Sequence, residues 1–224
     1  MVAYSIVHKA ILTCSILLAA VAHGSQAQPP FADEIRAFQK QDQAHSPKKG
    51  LILFVGSSSF RMWSDMQQAF PRHPLLNRSF GGSTLLDQAR FVDQVVTPYA
   101  PKEIVFYCGE NDFAAEPKLD PAQVVGRFEL LFVMIRRRVG EVKFVYVSMK
   151  PSPSRWSLAA KFRKANAGIA AFLKRQPKTA YIDVWPAMLT RAGTPDPSIF
   201  KSDNLHMNEK GYRRWIPLIE RELL

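Results

Sequence analysis

Apolar positions recur along the chain in two alternating rhythms. Residues 51–55, 103–107, 143–147 and 180–184 are strand-length runs with little polar interruption, and residues 75–80 are a weaker version of the same pattern. A continuous apolar run suits a strand buried on both faces of a parallel sheet. Between the runs the period becomes helical. Phe31, Ile35 and Phe38 form one short stripe, and Val124, Phe128, Leu131 and Ile135 follow the cap and first turn Asp120-Pro121. Leu158, Phe162, Ala165, Ile169 and Phe172 form another stripe, ended by Pro177. A last helix starts near Asn208 and buries Tyr212, Trp215, Ile219 and Leu223, with a kink expected at Pro217. Strands alternating with helices predict an α/β protein. The expected form is a three-layer α/β/α arrangement around a five-stranded, parallel, flavodoxin-like sheet with right-handed crossovers. No repeat, low-complexity tract or linker divides it.

The first 27 residues follow another rule. Lys9 precedes an almost wholly apolar stretch, residues 10–21, and Ser25-Gln26-Ala27 supplies small residues for a signal peptidase. The stretch is short for a bilayer span of about 20 residues. It therefore reads as a cleaved signal peptide rather than an anchor, leaving one domain over residues 28–224 in a periplasmic or secreted location. Cleavage removes Cys14 and leaves Cys108 as the only thiol, so no intrachain disulfide can form. Stability must come from the core.

Charge changes the picture little. The chain carries 30 Lys+Arg against 19 Asp+Glu, a formal +11, but the cations are scattered. The longest basic run, Arg136-Arg137-Arg138, ends a predicted helix, where cations suit the dipole and face water. A nucleic-acid partner is not indicated. Attraction to an anionic envelope needs no dedicated site.

The polar residues gather where strands turn into helices, which is where ligands bind in open parallel sheets. Gly56-Ser57-Ser58-Ser59 follows the first run, Gly81-Gly82-Ser83 the second and Gly109-Glu110-Asn111-Asp112 the third. Asp203-Asn204-Leu205-His206 precedes the final helix. A serine attacks well only when a base takes its proton. Beyond residue 27 the histidines are His45, His73 and His206, and His206 stands three residues after Asp203 in the last of these turns. Each turn alone is weak, since Asp-x-x-His and Gly-Ser are common caps. The phosphate loop Gly-x-x-x-x-Gly-Lys and the elbow Gly-x-Ser-x-Gly are both missing.

Together, and in this chain order, the four turns resemble the SGNH (GDSL) esterase/lipase family. Gly56-Ser57-Ser58 matches Gly-Asp-Ser, Gly82 matches the second block's glycine, Gly109-Glu110-Asn111-Asp112 matches Gly-x-Asn-Asp, and Asp203 to His206 matches Asp-x-x-His. Ser57 departs from the usual aspartate. Gly-Ser-Ser-Ser with Arg61 and Trp63, and the segment from Lys150 to Trp156, resemble a subgroup of that family.

The resemblance implies a serine ester hydrolase acting through an acyl-enzyme. Ser58 would be the nucleophile, His206 the base and Asp203 its partner, with an oxyanion hole of Ser58 N–H, Gly82 N–H and the Asn111 amide. Ser58 over Ser57 or Ser59 rests on this alignment. Asp112 is expected to be structural. No metal or organic cofactor is implied, and His45 and His73 have no ligand spacing around them. Arg155 and Trp156 are candidate substrate contacts, because Trp stacks on sugar faces and Arg binds carboxylate or phosphate. With no insertion after any motif turn, a short acyl ester of a polar alcohol is the expected substrate, whether carbohydrate, lipid headgroup or small molecule. A carbohydrate acyltransferase and a non-catalytic envelope-binding protein are the rival readings.

Overall fold

In the computed structural model, residues 29–224 are described. The expected signal peptide lies outside them.

Five strands, β1 (Ile52–Gly56), β2 (Leu75–Asn77), β3 (Glu103–Tyr107), β4 (Lys143–Val147) and β5 (Thr179–Ile182), pair in the order β2-β1-β3-β4-β5, all parallel. The expected three-layer α/β/α architecture is thus present. Both strand faces are apolar because both are covered. Leu53, Val55, Ile104, Phe106, Phe144 and Tyr146 join one core. It is closed by α1 (Ala32–Ala44), α4 (Leu85–Arg90), α5 (Val92–Val95), α7 (Pro121–Val139) and α8 (Ala159–Leu173). Ile52, Phe54, Val105, Tyr107, Val145 and Val147 join the other, under α2 (Ser58–Arg61), α3 (Met66–Ala69) and α9 (Glu209–Glu220). The short helix α6 (Glu110–Ala115) lies at the sheet's carboxyl edge.

Local chemistry sets the boundaries. Asp120 caps α7 in a reciprocal box with Gln123, and Pro121 occupies its first turn. The weak second strand keeps ladder geometry only to Asn77, whose side chain accepts from Ser79 N–H and donates to the Phe60 carbonyl. Even so, Arg78 and Phe80 N–H donate to Phe54 and Gly56, so the chain stays beside β1. β5 ends earlier than its apolar pattern suggests. Ser148 Oγ takes the Val184 N–H and Asp183 accepts from Trp185 N–H, which turns the backbone out of the ladder. Asn208 caps α9, which runs on through solvent-facing Pro217 and buries Tyr212, Trp215 and Ile219. Leu223 falls beyond its end, half-buried.

The basic triplet is not simply a wet face. Arg136 folds back onto the carbonyls of Val142 and Pro177, and Arg138 pairs with Asp93. Arg137 and Arg138 fit the water-facing expectation, and Arg136 departs from it because carbonyls at the following turn lie within reach of its long side chain.

Candidate active site

The first turn is built around Gly56. Its φ is +149°, and a Cβ there would lie 1.9 Å from the Tyr107 carbonyl oxygen, so only glycine lets β1 exit beside β3. The three serines then diverge. Ser57 is buried and its Oγ accepts from Asn111 Nδ2 at 2.7 Å. Ser59 is buried, and its carbonyl accepts from the Tyr212 hydroxyl. Ser58, opening α2, alone is turned toward solvent, with Oγ 3.1 Å from His206 Nε2.

The loop from Asp203 to His206 explains its own spacing. Asp203 Oδ1 accepts the N–H groups of Leu205 and His206, both at 2.9 Å, which closes the turn. Oδ2 is left for His206 Nδ1 at 2.6 Å. Asn204 takes the left-handed conformation the turn requires, with φ 55°, which asparagine tolerates. With Nδ1 donating to the carboxylate, Nε2 is the acceptor facing Ser58. Partial burial works to raise the Asp203 carboxyl. Hydrogen bonds from the His206 ring and from the Leu205 and His206 N–H groups outweigh it and hold the group at about 2.

The other two turns converge from the opposite side. Gly82 has φ +77° and lies exposed. Among the described residues, nothing accepts from its N–H or from that of Ser58. The neighbouring Gly81 N–H donates to Glu34 of α1, which also accepts from Arg61 of α2. Asn111, in the first turn of α6, donates through Nδ2 to the Ser83 carbonyl at 3.0 Å as well as to Ser57. Its Oδ1 accepts from Arg155 Nη2 at 2.8 Å. Asp112 is wholly buried, accepts the Leu85 N–H and pairs with Arg127, a structural part that ties α4 to α6 and α7. Burial raises its pKa, against those partners.

Arg155 is turned inward. Its guanidinium meets Asn111 and, at 3.4 Å, Glu110, rather than projecting toward a ligand. Trp156 is partly exposed, with its ring 6.2 Å from that of Trp185. Three supports carried no clear signal in the sequence. Glu110 bonds buried Lys150 at 3.0 and 3.2 Å. Gln88 donates to the Gly56 carbonyl and to Ser83 Oγ, joining two motif turns. Glu34 ties the N-terminal helix to the Gly81 turn. Only Lys150 could have been suspected, as a cation closing an apolar strand run in need of a buried partner.

The crevice beside Ser58 is narrow and is walled by the three serines, Gly109, Asn111 and Leu205 among others. Among the described residues, no group of three or more His, Cys, Asp or Glu side chains is gathered as a metal ion would need. Nor is any helix there long and apolar enough to cross a membrane. Buried Cys108 has its thiol pKa pushed well up by burial and so is no nucleophile.

Three solved structures share the fold. A protein from Streptococcus pneumonia, provisionally described as a platelet activating factor, aligns with a TM-score of 0.74 at 17% identity, covering 86% of this chain and 92% of that one. A GDSL-like lipase from Bacteroides thetaiotaomicron gives 0.71 at 18% identity, over 84% and 95%. An acetylxylan esterase from Geobacillus stearothermophilus gives 0.61 at 12%, over 79% and 95%. No curated protein sequence matches the chain. The model of the GDSL-like lipase/acylhydrolase family matches residues 51–214, a span that contains all four motif turns. The chain therefore belongs to the GDSL-like lipase/acylhydrolase family and is a carboxylic-ester hydrolase.

Proposed function

We propose that this is an exported serine esterase in which Ser58, His206 and Asp203 act as a triad and release a short acyl group from a polar alcohol. The observation that carries the reading is the unbroken hydrogen-bonded chain from Ser58 Oγ through His206 to Asp203. His206 Nε2 takes the Ser58 proton as Oγ bonds to the ester carbonyl carbon. The carbonyl π electrons move onto oxygen, and the N–H groups of Ser58 and Gly82 receive that charge, joined by the Asn111 amide as it releases one of its two resting acceptors, Ser57 Oγ or the Ser83 carbonyl. The first two have no other acceptor among the described residues, which suits the role. Collapse breaks the bond to the alcohol oxygen, which takes the proton from His206 and leaves an acyl-Ser58. Water, deprotonated by His206, adds to the acyl carbon, and Ser58 recovers its proton as the acid leaves.

A narrow crevice and the lack of insertions at the motif turns favour short acyl groups. The exposed Trp156, next in sequence to Arg155 of the crevice wall, suits the ring of a carbohydrate alcohol, and acetylated sugar is also the substrate class named for the Geobacillus neighbour. A formal net charge of +11 for the full sequence, one less after loss of Lys9, would draw the enzyme toward anionic envelope polymers. The test is to label the secreted protein with a serine-directed organophosphonate and map both adduct and N-terminus. The expected result is one adduct, on Ser58, in a chain beginning at Gln28. An adduct on Ser57 or Ser59 would refute the assignment, and an intact Met1 in a membrane fraction would refute export.

A further inference from the structure

We infer that Arg155 is a positioning residue for Asn111, its guanidinium fixing which edge of the amide faces the Ser58 crevice. The inference rests on the reading of Asn111 as an oxyanion donor. An asparagine amide has one edge that only accepts and one that only donates, and a half-turn of the side chain exchanges them. Arg155 cannot accept a hydrogen bond and stays charged. With its Nη2 2.8 Å from Oδ1, the acceptor edge of Asn111 is committed to it. The donor edge must then face Ser57 Oγ and the Ser83 carbonyl, as it does. The flipped amide would set N–H against N–H.

The guanidinium is itself anchored. Its Nη1 lies 3.4 Å from Glu110 Oε2, and Glu110 is held by Lys150, whose ammonium also meets the Tyr107 hydroxyl at 3.3 Å. Glu110 is one anion among two cations, so the cluster leaves positive charge behind Asn111. Burial lowers the Lys150 pKa, against the pull of Glu110. A cation on the carbonyl edge also polarises the amide and strengthens its N–H groups as donors. These are the donors that would face the negative charge forming on the substrate's carbonyl oxygen. Because both terminal nitrogens of Arg155 point at protein acceptors, this role replaces the substrate contact expected from the sequence.

The experiment is a double-mutant cycle on nitrophenyl acetate, with kcat, KM and thermal midpoint measured for Asn111→Ala, Arg155→Ala, the double variant and Arg155→Lys. Removing one oxyanion donor costs about 10²–10³ in kcat, so Asn111→Ala should fall in that range. Arg155→Ala should lose about 10–100-fold in kcat with KM nearly unchanged, and Arg155→Lys should recover part of it. The double variant should be no worse than Asn111→Ala alone, since Arg155 acts through that amide. Losses that multiply in the double variant, or an effect confined to KM, would overturn the inference while leaving the oxyanion role of Asn111 intact. A neutral Asn111→Ala would overturn that role and the inference with it. If Arg155→Ala does not fold, Arg155→Lys and Arg155→Met carry the same comparison, with Lys expected to stay the more active of the two.

Discussion

The two sides of the Ser58 crevice are built on opposite plans. On one side, Asp203 and His206 are three residues apart in a single loop, and the Asp203 side chain is 45% exposed. On the other, Asn111 is held by Arg155, which leans on Glu110, which is paired with a Lys150 side chain only 2% exposed. The first arrangement is local and wet. The second is assembled from separate segments and buried. A base must meet solvent protons and water, so exposure serves His206, whereas charge stabilisation is strongest where water is excluded. Chemistry on the first side should therefore fail without loss of fold, and changes in the buried cluster should cost both.

The sharpest way to break that comparison is on the local side. Ser58→Ala and His206→Ala should each lower kcat by about 10⁴ or more, because the two act as one unit. Asp203→Ala should be about tenfold or more milder, since the imidazole still reaches Ser58 in a fraction of its orientations. Thermal midpoints of all three should stay close to that of the parent. Ser57→Ala and Ser59→Ala should keep a nucleophile, and a dead Ser59→Ala with an active Ser58→Ala would move the reaction to the wrong serine.

The buried side is tested by stability. Glu110→Gln leaves Lys150 and Arg155 without their anion, and breaking a buried pair costs about 3–5 kcal/mol. Asp203→Asn, at an exposed pair, should change stability by under about 1 kcal/mol. Urea unfolding of the two variants measures the contrast, and equal losses would remove it.

The same contrast decides what the sequence makes legible. Asp203 and His206 share one turn, so their spacing is itself the geometry, and strand runs such as residues 103–107 show burial on both faces directly. The strand limits were readable only where apolar pattern and ladder coincide. At Asp183 and Asn77, side-chain hydrogen bonds end strands that the apolar pattern continues. Arg155 was visible as an arginine near the site, but its direction was not. That direction depends on Glu110, 45 positions earlier, and a partner so distant leaves no local spacing to read.

The smallest effect concerns protons on the exposed side. Asp203 is held at about 2, below the ordinary carboxylate value near 3.9. For a carboxyl depressed on folding, the unfolded chain binds the proton more readily. Its contribution to stability is then complete above about pH 4 and is lost as pH falls toward 2. Exposure keeps that contribution slight. The kinetic consequence is easier to see. Across the acid range in which the enzyme stays folded, Asp203 remains ionised, so it should add no step of its own to log kcat/KM above about pH 3. A step above that pH that disappears in Asp203→Asn would show the carboxyl titrating there. Repeating the profile with Arg155→Lys sharpens the comparison. If the buried side acts only on the oxyanion, that variant lowers the plateau and leaves the acid limb where it was.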